Sequence, residues 1–167
     1  NRCRRQRQMC IRDRSMSSLE IKNDVVLGDI TELCLGSELH RNWYIKDIQR
    51  LFIVPMEIDQ ARLFYRDGKV IGFISWAFLS YEAENSFLNR TRKLQPEDWK
   101  SGQRIYIMDL IAPYGDVGTL GRWVREYLTP IAPSFNTDRA YWVRRYPDGS
   151  IRKIGMAFEH VTKDKSL

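Results

Sequence analysis

Two side chains in this sequence have the type and setting for proton chemistry. His40 lies in Ser37-Glu38-Leu39-His40-Arg41-Asn42-Trp43, just past a segment with helical spacing. An imidazole at an element boundary can face a cleft, and it changes charge near neutral pH, which makes His40 a candidate general base. The alternative is a structural histidine with both nitrogens satisfied. The other histidine, His160, sits in a polar end segment where a solvated role is the default. Asp109 is the lone acid in the strand-like run Arg104-Ile105-Tyr106-Ile107-Met108-Asp109-Leu110-Ile111. A carboxylate in such a run tolerates burial only if it is paired or hydrogen-bonded. It either orients a histidine, fixing the tautomer and stabilising the imidazolium, or it points outward or pairs with an arginine.

A third candidate is the loop Pro113-Tyr114-Gly115-Asp116-Val117-Gly118 ahead of a helical segment. Gly115 and Gly118 let backbone amides approach an anion at a helix start. The same loop is equally an ordinary strand-to-helix turn with Asp116 as the cap. No phosphate-loop lysine motif, dinucleotide fingerprint or HExxH is present, and three cysteines, two of them at positions 3 and 10, build no disulfide framework or cysteine zinc site. No metal is implied.

The elements that must position these residues follow from periodicity. Apolar residues from Leu19 to Leu39 recur at helical spacing, predicting one helix that ends before Gly36. A second helix is expected from Trp43, breaking at Pro55. Arg62–Tyr65 and Val70–Ala77 are β-rich runs joined by Arg66-Asp67-Gly68-Lys69, a hairpin signal. Residues 82–94 read as an exposed helix, Pro96-Glu97-Asp98 as a short turn, Arg104–Ile111 as a strand and Thr119–Leu128 as an amphipathic helix. Strands near Ala140–Tyr146 and Ile151–Phe158 close the chain around Pro147-Asp148-Gly149. Helices flanking a mostly antiparallel sheet give an α+β fold.

Charge is unevenly placed. The net charge is +6, but residues 1–14 alone hold six arginines against one acid, and the remainder carries 21 basic and 20 acidic residues. A near-neutral body speaks against nucleic-acid binding, for which the arginine run is the only footprint. Residues 1–15 read as a disordered or foreign extension, with Met16 as the natural start and 16–167 as the domain. The longest apolar run, Val70–Leu79, is far short of the roughly 20 residues a transmembrane helix needs, and no secretory h-region follows the N-terminal charges. A cytoplasmic location is the expectation.

The blocks Ser37–Trp43, Ile74-Ser75-Trp76-Ala77, Glu97-Asp98-Trp99, Ser101-Gly102 and Met108–Asp116 closely resemble, in order and spacing, the signature of the RTX toxin-activating lysine acyltransferases. The resemblance covers residues 33–128 and extends more weakly to 157. It implies a single domain like the Gcn5-related acetyltransferases, acyl carrier protein as acyl donor with no bound cofactor, internal lysines of an RTX protoxin as acceptors, and a homodimer. It makes His40 and Asp109 the catalytic residues. Gly115 and Gly118 are then expected beside the carrier's phosphopantetheine arm, and Arg41, Arg122 and Arg125 near its acidic helices. His40 acts either as base or as a nucleophile forming an acyl-imidazole. Two rival readings are an acyl-CoA enzyme acting on a small amine and a non-catalytic toxin-binding homologue. The region after Leu128 diverges from the family pattern, which leaves protoxin specificity open.

Overall fold

In the computed structural model, which describes residues 19–22, 27–128, 139–148 and 150–159, a tight hairpin organises the sheet. Strands β2 (Ala61–Arg66) and β3 (Lys69–Leu79) are joined by Asp67 and Gly68 alone, at φ of 51° and 74°. Both residues are in the left-handed region, as a two-residue turn matched to strand twist requires, and glycine reaches it without a Cβ penalty. The hairpin is where the residue types placed it.

Four more strands extend it. β1 (Leu19–Lys22), β4 (Arg104–Ile111), β5 (Arg139–Arg145) and β6 (Ile151–Glu159) complete a six-stranded sheet in sequential order. Every junction is antiparallel except β4 with β5, which run parallel. Their ladder has two rungs, Tyr106 with Tyr141 and Ile107 with Trp142, so the two strands part as β4 approaches Asp109. Helices cover both faces, giving the α+β architecture expected for an acetyltransferase-like fold.

The N-terminal helix reading needs correction. Leu19–Lys22 is a strand paired with Leu63–Arg66, and α1 spans only Leu27–Gly36, including the glycine. Four residues offer no period to separate strand from helix, so the partner strand decides. Pro55 does not break the second helix either. α2 (Ile45–Ile48) runs through a π segment, Gln49–Ile53, into α3 (Val54–Glu57), with Pro55 in the first turn of α3. Proline is tolerated there because its missing N–H belongs to a new helical start. The exposed helix is shorter than expected: α4 is Tyr81–Leu88, capped by the Ser80 hydroxyl on Ala83 N, and Leu94 is buried. A 3-10 turn occupies Pro96–Lys100, and α5 (Val117–Trp123) continues as a π segment to Leu128. The arginine-rich segment, Met16 and His160 lie outside the described residues.

Three apolar clusters fill the two faces. α1 and the π segment set Ile30, Leu33 and Phe52 against Phe73 and Ile111. α5 sets Leu120 and Trp123 against Ile74, Trp76, Ile105 and Ile107. α4 and the 3-10 turn set Phe87 and Trp99 against Tyr106 and Met108. In the last cluster buried Glu84 accepts a hydrogen bond from Tyr106 Oη at 2.6 Å and pairs with Arg104. Burial first, and the Glu84 bond second, push the Tyr106 hydroxyl well above its usual range, so it stays a donor.

Gly102 is a point of close approach between the 3-10 turn and β3. A Cβ there would stand 2.3 Å from the Leu79 carbonyl oxygen and 2.4 Å from Ser80 N, both backbone atoms that cannot rotate away. Gly102→Ala is expected to cost about 2–3 kcal/mol, the upper range for overpacking a tight site. Denaturant unfolding measures this, and an unchanged midpoint would mean the strand end yields freely.

Candidate active site

The site begins with a turn. After α1, the backbone closes on itself through Ser37 N to Cys34 O, His40 N to Ser37 O and Trp43 N to His40 O, all 3.0–3.1 Å. This swings His40 inward, where only 3% of it is exposed. Trp43 lies against its imidazole, ring centroids 4.5 Å apart, and Phe52 stands 6.4 Å away at an edge-on angle. The imidazole is thus clamped in an aromatic wall that continues through Phe52 to Phe73.

Asp109 reaches the same place through a β-bulge. Ser75 of β3 faces Asp109 while Trp76 faces Ile107, which leaves Met108 as an extra residue on β4. Without the bulge, strict alternation would send Asp109 to the α5 face with Ile105 and Ile107. With it, Leu110 takes that face and Ile111 joins the α1 cluster. Asp109 therefore shares the face of Met108, and its Oδ1 lies 3.1 Å from His40 Nε2. Leu110 N donates to the same oxygen at 2.9 Å.

The bonds assign the protons. A carboxylate only accepts, so His40 Nε2 carries the hydrogen it gives to Asp109. In the neutral imidazole Nδ1 is then the acceptor, and Ser37 Oγ sits 2.6 Å from it, donating its hydroxyl hydrogen. Ser37, His40 and Asp109 form one hydrogen-bonded line, with the basic lone pair at the Ser37 end. Ser37 was not singled out from the sequence, although its place three residues before His40 in a turn was the available signal.

Unmet polar atoms surround this line. Asp109 Oδ2, Ser75 Oγ and Trp43 Nε1 are buried and have no hydrogen-bond partner among the described residues. Such groups cost free energy that folding alone does not reward, and they concentrate where function requires them. Cys34 is also close, but burial, reinforced by the Asp109 charge, pushes its thiol up to about 12. It is not a nucleophile near neutral pH.

The other candidates are exposed, and the turn that carries Gly115 and Gly118 begins against Gly36, where an added Cβ would stand 3.2 Å from Pro113 and the Tyr114 hydroxyl. Gly115, with φ of 94°, and Gly118 are exposed at the turn into α5, with open space where a Cβ would be. Arg122 and Arg125 are exposed on α5 and its π continuation. Arg41 is exposed and lies 3.6 Å from Glu38. Asp116 occupies the cap position of α5 without making a side-chain cap bond, and pairs instead with Arg66 at 2.8 Å. Among the described residues no group of three His, Cys, Asp or Glu side chains could hold a metal ion, and no helix is long and apolar enough to cross a membrane.

The chain is 40% identical over 107 residues to the RTX-II toxin-activating lysine-acyltransferase of Actinobacillus pleuropneumoniae, covering 64% of this chain and 67% of the relative. It is 40% identical over 100 residues to a protein-lysine myristoyltransferase of Kingella kingae, covering 60% of each. It is 34% identical over 137 residues to the RTX-I toxin-activating lysine-acyltransferase of A. pleuropneumoniae, covering 82% of this chain and 76% of that one. The matched stretch spans between about three-fifths and three-quarters of the length of these three relatives. The model of the RTX toxin acyltransferase family matches residues 19–141, taking in α1, the His40 turn, the hairpin and the bulged strand, and the chain belongs to that family.

Proposed function

We propose that the chain transfers a fatty acyl group from acyl carrier protein to lysine side chains of an RTX protoxin in the cytoplasm. The observation that carries this reading is the buried Ser37–His40–Asp109 line in a chain of this family. The relatives' names, toxin-activating lysine-acyltransferase and protein-lysine myristoyltransferase, support the acceptor and the acyl class. Family likeness is likewise the support for acyl carrier protein as donor and for a homodimer.

The chemistry follows from the proton positions. Lysine, with a reference pKa of about 10.4, is mostly protonated at neutral pH, and its amine must shed a proton to attack. The ε-amine, its ammonium proton having passed to solvent, attacks the thioester carbonyl, forming the C–N bond. A second proton then passes through Ser37 Oγ to Nδ1 of His40, and Asp109 holds the resulting imidazolium at Nε2. Collapse of the tetrahedral intermediate breaks the C–S bond, and the proton returns to the leaving thiolate. Backbone amides near Asp109, where β4 and β5 part, are the oxyanion donors in this scheme. A direct acyl-imidazole is disfavoured because both His40 nitrogens are already engaged in a nearly closed pocket.

The test incubates the full chain with an RTX protoxin and myristoyl acyl carrier protein, with myristoyl-CoA in a parallel arm, and reads lysine adducts by mass spectrometry. Myristoyl-lysine from the carrier donor is the expected result. Adducts from CoA alone would replace the donor, and none from either would sink the reading. Within the same assay Ser37→Ala is expected to lower the rate about 10- to 100-fold, the lower part of the range for a positioned proton-transfer group. An unchanged rate would remove Ser37 from the proton path.

A further inference from the structure

A cavity of about 590 Å³ opens on the face of the sheet that carries Asp109, between α2 with its π segment, the 90–94 turn and the β5–β6 connection. Its size is that of an ordinary small-ligand site. Its lining is divided. Leu51, Phe87, Leu94, Trp99 and Met108 form an apolar floor, each largely buried. Lys46, Arg50, Arg90, Arg92, Lys93 and Arg145 supply cations against only Asp47 and Asp148. Arg50 pairs with Asp47 at 3.2 Å, Arg92 pairs with Asp98, and Arg90 donates to the Ile151 carbonyl at 2.8 Å.

Two floor residues adjoin the catalytic line and its aromatic wall along the chain. Met108 is the bulged residue immediately before Asp109, and Leu51 adjoins Phe52 of the aromatic wall. Arg145 is buried in the lining, where burial lowers the pKa of its guanidinium and the Asp109 charge opposes that shift. The cavity therefore combines a greasy interior, one residue along β4 from Asp109, with a positive mouth.

We propose that this cavity is the acyl-donor site, its apolar floor taking the fatty chain and its basic mouth the anionic phosphate-bearing arm of the thioester. The inference rests on the proposed acyl transfer. An excess of positive charge repels a lysine ammonium, so the acceptor lysine reaches Ser37 and His40 by another route. A donor that is apolar at one end and anionic at the other fits both halves of the lining. This places the donor on the opposite face of the sheet from α5.

The test uses the full chain in two ways. A myristoyl thioester bearing a diazirine near the chain end is photolysed on the protein, as its acyl carrier protein and CoA forms, and adducts are mapped by peptide mass spectrometry. Adducts on Leu51, Leu94, Trp99 or Met108 are expected. In parallel, the double variant Arg90→Glu/Lys93→Glu is expected to raise KM for the donor at least tenfold and leave KM for the protoxin within twofold. Leu94→Trp, which fills the floor, is expected to shift preference to shorter acyl chains. Equal loss with both donors assigns the basic mouth to the shared phosphate arm, and loss with the carrier alone assigns it to the carrier's acidic surface; either supports the donor site. Adducts confined to the 113–118 turn, or a rise in protoxin KM alone, would overturn it, the second outcome assigning the mouth to an acidic stretch of the acceptor. Cross-linking needs no turnover, so an inactive enzyme labelled on the floor would refute the transfer reaction and leave the donor site standing.

Discussion

His40→Gln is expected to reduce lysine acylation at least 10²-fold while leaving the protein folded. A positioned general base contributes about 10²–10⁴ in rate, and glutamine has no lone pair basic enough to replace Nδ1. Glutamine is preferable to alanine as the replacement. Its amide can still donate to Asp109 Oδ1, which His40 Nε2 now satisfies at 3.1 Å. Alanine would leave a buried carboxylate without that donor, a defect of about 1–3 kcal/mol or more, together with a hole beside Trp43 and Phe52. Initial acylation rates read with thermal unfolding separate the two effects. A His40→Gln enzyme that keeps its rate within threefold would end the base assignment.

Asp109→Asn probes the other end of the line and is expected to lower the rate by about 10⁴-fold, the scale seen when an orienting carboxylate becomes an amide. The side chain keeps its shape but loses its charge, so nothing stabilises the imidazolium. The amide can also donate to Nε2, which moves the imidazole proton to Nδ1 and turns the Ser37 bond around. Ser37 would then accept from His40 rather than donate to it, and the path for the lysine proton closes. ¹⁵N chemical shifts of the imidazole read the tautomer directly, independent of turnover. If the proton stays on Nε2 and the rate holds, Asp109 serves packing alone.

Much of the scaffold was legible because short-range chemistry dictates it. Asp67-Gly68 specified the hairpin through backbone sterics, and the run from Arg104 to Ile111 marked β4 to the residue. Asp109 stood out as the one acid in that run, and burial did require a partner for it. What the local pattern could not supply was long-range pairing. His40 and Asp109 are 69 residues apart, and only the family resemblance joined them before the structure did. Leu19–Lys22 was misread because strand pairing, not period, makes it a strand. Pro55 was misread as a stop because a preceding π segment lets a helix restart at proline. The cavity was invisible for a similar reason: its cations come from α2, the π segment after it, the 90–94 turn and the end of β5, which only the fold brings together around one apolar floor.

The extra residue at Met108 has a consequence for how this site is inherited. The position of the catalytic carboxylate is set by a count of residues along β4, since one unpaired residue decides which side of the sheet Asp109 serves. Chemistry and address are therefore encoded separately. A descendant can keep serine, histidine and aspartate and still lose the site by losing one residue before the aspartate, because the acid would then hang beside Trp123 with the imidazole on the far side of the sheet.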